Sequence, residues 1–288
     1  MKKTIKVTLR GIVLISILSI LPLISGCMWI PSPTGEYRET NIRIFRDTPA
    51  WNLARAVRNQ NTRQILRIAE NNPELLDYRD PLRGMTLLHW AIGNERYNSA
   101  RALLEAGADP NIIADRSGQT PLFMAAGFSF IDRSVNRDPR FVRLLLQHGA
   151  DPNIGFAGSE FSNVNEIGTT PLMRSVGAGI EKTRLLIEYG ADINTRLESG
   201  RTAAIRALMH GGSAASMLIR LEYAHFLIVE MQADVTGSFR GMWAGEILDS
   251  VHYPITLLQR NWRFPEGDER HRVKMEIVEE FARQGINY

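Results

Sequence analysis

Nucleophiles, bases and metal ligands are scarce here: one cysteine, Cys27, and six histidines scattered over 288 residues. A single thiol rules out an intrachain disulfide framework and any thiolate-based metal cluster within one chain. His-Glu-x-x-His, Gly-x-Ser-x-Gly, Walker and Gly-x-Gly-x-x-Gly patterns are all missing. Gly177-Ala178-Gly179 comes nearest to the last, but Lys182 stands where its third glycine belongs and no strand pattern precedes it, so it reads as a turn between helices. His210 and His225 lie in an irregular stretch and are the two that an unconventional periplasmic hydrolase could use. Trp90, Met124 and Met209 fall at helix positions that face a packed neighbour, which favours a core role over a cofactor box. The run from Glu266 to Arg272 reads as a solvated loop. The expectation is therefore a protein that binds rather than one that turns over, with no catalytic residue, no cofactor and no metal.

Charge narrows the partner. The 34 Lys and Arg stand against 31 Asp and Glu, yet Lys2, Lys3, Lys6 and Arg10 all precede the first acid, leaving 30 bases against 31 acids. A near-neutral body lacks the clustered bases that displace counterions from phosphates, so nucleic acid is excluded. The hydrophobic share of 44% with 23% charged residues is that of a chain with a sizeable core.

The same four bases introduce an apolar run from Ile12 to Leu23, and no charge appears between Gly11 and Gly35. This is the layout of a secretory signal peptide, with an uncleaved single-span anchor as the competing reading. Ile24-Ser25-Gly26-Cys27 then resembles the lipobox of bacterial lipoproteins. That resemblance implies residues 1–26 as a signal peptide and acyl chains on Cys27 as a membrane anchor. Met28, where enteric lipoproteins retained in the inner membrane carry Asp, implies an outer-membrane destination facing the periplasm. Pro31, Pro33 and Gly35 break helix and strand patterns, so residues 27–47 read as a flexible tether and the folded part as 48–288.

A repeat governs that folded part. Gly107-Ala108-Asp109-Pro110-Asn111 recurs at Gly149 to Asn153 and at Gly190 to Asn194, each time after a leucine-rich segment. Upstream lies a second block, Gly84-Met85-Thr86-Leu87-Leu88-His89, again from Gly118 and from Gly168. Degenerate copies open at Thr48 and at Gly200-Arg201-Thr202, the latter closing at Met231 to Asp234 with Gln232 in the glycine's place, and a last copy runs from about Met242 to Asn287. The threonines suit helix caps, Pro121 and Pro171 suit a first helical position, and the glycines suit left-handed helix ends. The pattern resembles the ankyrin repeat family, implying an all-α solenoid of five to six helix-turn-helix units stacked on one leucine seam. On that resemblance His89 bridges turn backbones.

Departures from the repeat locate a candidate surface. Thr86 to Gly107 is 21 residues, whereas Thr120 to Gly149 is 29 and Thr202 to Gln232 is 30. The extra residues fall at Phe128 to Asp138 and in the fifth unit, and the turn around Phe156 to Asn165 is also long. These stretches are either contact loops or covers for a degraded repeat. The family's binding positions, carried over to this chain, imply partner contacts from Arg83, Met85, Asn94, Arg116, Gln119, Phe128, Glu166, Thr169, Glu198, Arg201, Met209 and His210. Lipoproteins with such repeats can serve as immunity proteins against periplasm-acting antibacterial toxins such as a secreted lipase. An envelope scaffold for a resident protein is the alternative.

Overall fold

Threonine hydroxyls start the helix pairs. Thr86, Thr120, Thr170 and Thr202 hold extended backbone, and each side chain accepts from the N–H three residues on, at His89, Phe123, Met173 and Ile205. Each thereby satisfies one of the donors that a helix start leaves free. The computed structural model describes residues 40–127, 138–158, 165–209, 214–243 and 246–288. The first helix pair is α1 (Trp51–Arg58) and α2 (Thr62–Asn71), followed by α3 (Leu87–Gly93) with α4 (Tyr97–Glu105) and α5 (Pro121–Ala126) with α6 (Arg140–Gln147). Next come α7 (Pro171–Ser175) with α8 (Ile180–Glu188) and α9 (Ala203–Leu208) with α10 (Ala214–Ala224), which continues as a π-helical stretch His225–Glu230. A hairpin of β1 (Phe239–Trp243) and β2 (Glu246–His252) precedes α11 (Pro254–Asn261) and α12 (Glu269–Arg283).

The first helices stack on one another from α1 through α3, α5, α7 and α9 to α11, and behind them the second helices stack from α2 through α4 and α6 to α8, with α10 packed on α12. Between the two rows runs one buried cluster that includes Leu53, Leu88, Leu103, Leu145, Leu186, Leu227 and Phe281. A lone helix pair would leave half of this seam wet; stacking removes it from water at roughly 25 cal/mol per Å² of apolar surface. This is the all-α ankyrin solenoid that the repeat implies.

Polar side chains fix the spacing of the stack. Asn111 accepts from the Asp151 N–H at 2.8 Å and donates to the Gly149 carbonyl at 3.0 Å. Asn153 repeats both bonds one unit on, to Asp192 and Gly190, and Asn194 accepts from the Asp234 N–H at 2.9 Å. Gln284 does related work at the end, accepting from Val235 N–H and donating to the Ala233 carbonyl, both at 3.1 Å. Gly107, Gly149 and Gly190 hold φ of 102°, 84° and 88°, and Gln232 adopts the same left-handed conformation at 55° despite its side chain, a strain of about 1–2 kcal/mol. The buried Lys182 is a further device: its ammonium donates to the Ala125 carbonyl at 2.7 Å and to Gly127 at 3.4 Å, placing a cation at the negative end of α5.

Three boundaries differ from the sequence reading. Packed chain begins before Thr48, because Ile42, Ile44 and Phe45 of a 3-10 turn are buried in the core; the Thr48 hydroxyl donates back to the Phe45 carbonyl at 2.6 Å instead of capping α1. The stretch around Met242 is strand, held by the Arg240 N–H donating to the Ser199 carbonyl at 2.6 Å. Helical structure in the last unit starts at Pro254, with proline in the first turn as in α5 and α7. Residues 1–39, including Cys27, lie outside the described residues.

Candidate protein-interaction face

Adjacent turns are joined edge to edge. Arg116 N–H donates to the Arg83 carbonyl at 3.0 Å and Ala157 N–H to the Gly118 carbonyl at 2.9 Å. Both oxygens of the Glu166 carboxylate accept from Ser199, from its N–H at 2.7 Å and its hydroxyl at 2.6 Å. Gly118 has φ of +62°, and a Cβ there would lie 1.9 Å from the Gly158 nitrogen, so only glycine permits this approach. Structural duties consume the polar groups behind the tips, while the tips themselves expose Leu82 at 46% and Ile167 at 70%. An open cleft of about 570 Å³ lies between the second and third tips, lined by Leu82, Arg83, Asp115 and Arg116 among others.

His89 is a structural residue. Its Nδ1 accepts from the Thr86 N–H at 3.2 Å, and Nε2 lies 3.0 Å from the Gln119 carbonyl, so the tautomer with Nε2–H joins one turn to the next. Full burial, above all, lowers its pKa from 6.5 to about 4, leaving a neutral ring.

The fourth residue after each capping threonine changes character along the array. It is Trp90, Met124, Arg174 and Arg206 in successive units, the first two buried. Arg174 stacks over the Phe123 ring at 5.5 Å and donates to the side-chain Oδ1 of Asn165 at 3.3 Å. Arg206 is part-buried and its backbone carbonyl accepts from the Arg220 guanidinium at 2.5 Å. Burial first, and then the positive charges of Arg174, Arg201 and Arg220, lower the Arg206 pKa to about 10; Glu166 is the one carboxylate acting the other way. Arg201 is lowered in the same sense, by burial, and its Nε makes no hydrogen bond. Half-buried guanidinium groups thus crowd together beside a single carboxylate already engaged by Ser199.

Of the residues expected to meet a partner, Arg83, Arg116, Gln119, Glu166, Glu198, Arg201 and Met209 are exposed or part-buried. Three are corrected. Met85 is 3% exposed and belongs to the packed turn. Asn94 is buried with its amide donating to the Trp90 carbonyl at 2.9 Å, and buried Thr169 donates to the Glu166 carbonyl at 2.6 Å. Each faces inward because a backbone acceptor needs it there. Phe128 and His210 lie outside the described residues. Phe156 folds inward, stacked on Phe123 at 5.6 Å, so this part of the long turn covers the array instead of offering a contact. His225 is held at 2.7 Å by Glu276 and at 3.4 Å by Glu230. Arg174, Arg206 and Arg220 escaped the sequence reading, although the switch from Trp and Met to Arg at one repeat position was there to be seen.

Comparison with known proteins bears on the same segment. A family model described as ankyrin repeats, in three copies, matches residues 53–156. Residues 53–156 carry ankyrin repeats. The matched stretch runs from α1 into the long turn after α6, and the capping threonines and asparagine bonds continue the array through α9. The chain is 38% identical over 120 residues to an ankyrin repeat protein of Rickettsia bellii, covering 41% of this chain and 30% of that one. It is 36% identical over 100 residues to Protein PhlB of Serratia liquefaciens, covering 35% and 37%. With the B-cell lymphoma 3 protein of Homo sapiens it shares 35% identity over 147 residues, half of this chain and 29% of the relative. It therefore spans about a third of the length of these relatives. Ankyrin repeats form a protein-interaction fold, and the exposed tips and inner helices are where such an array presents variable side chains.

Proposed function

We propose that this ankyrin array binds a protein partner while held at the bacterial envelope by lipid on Cys27, and that the partner is a periplasm-acting antibacterial toxin which it neutralises. The observation that carries the binding reading is the inner face itself: Leu82, beside Arg83 and Arg116, and Ile167 stand exposed at turn tips, and Arg201 and Arg206 lie within the field of Glu166, next to Ile167, where the stacking motif has no use for them. Apolar anchors with nearby arginines are the composition of interaction hot spots. Support for the envelope comes from the cationic, then apolar leader and Gly26-Cys27. Several acyl chains on one cysteine anchor stably, each buried methylene contributing about 0.8 kcal/mol.

The test is affinity capture of the lipidated protein from intact envelopes, with Arg116→Ala and Arg201→Ala combined as the control, alongside a deletion strain grown with toxin-armed siblings. A toxin captured by the wild type and lost from the control, with the deletion strain killed, supports the reading. A resident envelope protein in its place supports the scaffold alternative, and an unharmed deletion strain removes the immunity role. Cys27→Ser releases the protein from membranes if the anchor is as proposed.

A further inference from the structure

Among the described residues, three arginines of the fifth repeat are part-buried without an acid to pair with, whereas other arginines without a carboxylate partner, such as Arg63, Arg67 and Arg143, stand exposed to water. Other arginines find acids: Arg101 pairs with Glu105, Arg184 with Glu230, Arg196 with Asp234 and Arg283 with Glu280. Arg201, Arg206 and Arg220 form no ion pair with any carboxylate among the described residues. They are nonetheless part-buried, at the level of helices α9 and α10 behind the turn tips. Arg220 donates to the Arg206 carbonyl at 2.5 Å, and Glu166, the carboxylate whose charge acts on Arg201 and Arg206, spends both oxygens on Ser199.

Packing like charges together out of water is unfavourable, and a site that keeps them so is completed by an external anion. A guanidinium offers a planar fork that matches a carboxylate with two parallel hydrogen bonds. Because the groups are recessed, a flat bilayer surface does not reach them, whereas a side chain projecting from an extended segment does. The exposed Ile167 at the neighbouring tip gives such a segment an apolar foothold.

We infer that the inner face of the fourth and fifth repeats binds an acidic protein segment, with Asp or Glu carboxylates seated on Arg201 and Arg206. This deepens the protein-binding reading by naming the chemistry of the partner, and it rests on that reading. Burial and mutual repulsion, which lower the Arg206 pKa to about 10, are the energies that a bound carboxylate relieves.

The experiment measures binding of a fluorescent oligoglutamate peptide to the full lipidated chain in detergent by anisotropy. The R201Q/R206Q variant is set against R63Q/R67Q, which removes the same charge from exposed positions on α2. The expected result is a loss of about tenfold or more for the first, the scale of a charged hydrogen bond, and little change for the second. R206K retains the charge without the fork and falls between. R206M, which copies Met124 at the same repeat position, guards against misfolding: it should lose binding while remaining folded by circular dichroism. Equal weakening in R201Q/R206Q and R63Q/R67Q, or none in either, overturns the inference. So does displacement of the peptide by inorganic phosphate more readily than by free glutamate at equal charge. Partner capture separates the two readings: a partner held equally well by R201Q/R206Q refutes the acidic-segment site and leaves protein binding intact, while no capture by any variant refutes protein binding and leaves the peptide result to decide the site.

Discussion

Replacing Arg206 with Met should make the protein more stable. At the equivalent place in earlier repeats stand Trp90 and Met124, both buried, so the inner helix accepts an apolar side chain there. The Arg206 pKa falls from 12.5 to about 10; at about 1.4 kcal/mol per tenfold this puts a ceiling near 3 kcal/mol on the disfavour of its charge. For a base whose folded pKa is depressed, the penalty is fully present below the folded value and is relieved only as pH rises past it. At neutral pH the whole of it therefore opposes folding, with no slope between pH 5 and 8. The bond from the Arg220 side chain goes to the backbone carbonyl of residue 206 and survives the substitution, so discounting only for the part of the side chain that water reaches, we expect a net gain of about 1–2 kcal/mol. In a domain of this size that is roughly 2–4 °C in Tm for each kcal/mol. Urea titrations at matched m-value read the change directly, and the gain should shrink in concentrated salt as repulsion is screened. A loss of stability greater than about 1 kcal/mol would refute the reasoning, because it would mean that the guanidinium is already compensated.

Other perturbations follow from the same structure. His89, held near pKa 4 against 6.5 in the unfolded chain, stays neutral while the unfolded chain takes up a proton, so stability should fall by up to about 3 kcal/mol as pH drops from 6.5 to 4 and level off below; urea titrations across that range should show the slope in the wild type and a flatter one in His89→Phe. Met85→Ala should cost about 2–4 kcal/mol by calorimetry, the usual range for a buried side chain, and leave partner affinity unchanged in the folded fraction. Ile167→Asp should do the reverse, staying within about 0.5 kcal/mol of the wild type but weakening partner capture. Gln232→Gly should gain about 1 kcal/mol in thermal melts, since glycine holds φ near 55° without strain.

Local signals were legible and assembled ones were not. Thr86, Thr120, Thr170 and Thr202 cap helices because a hydroxyl and an N–H three residues away decide the matter between them. The left-handed glycines were readable for the same reason. Ile42 to Phe45 were read as tether because polar and charged neighbours hide a run that becomes apolar core only when α1 packs on it. β1 and β2 depend on the Ser199 carbonyl, some forty residues distant, a partner that no local pattern displays. Phe156 looked like a contact residue until Phe123 supplied it with a ring to stack on. The arginine group has a similar origin, since stacking places α7 and α9 side by side and so makes neighbours of Arg174 and Arg206.

The asparagine bonds between successive turns bear on how this molecule can change over time. Asn111 and Asn153 each tie their unit to the next through a donor and an acceptor on one amide, so pitch is set just after the second helix of each unit, apart from the segment between a unit's two helices. A unit can therefore lengthen between its two helices, as from Thr120 to Gly149, without shifting its neighbours out of step. The row of asparagines acts as a ruler with fixed graduations. Partner recognition can be rewritten in the segments between helices, one loop at a time, with no renegotiation of the rest of the protein.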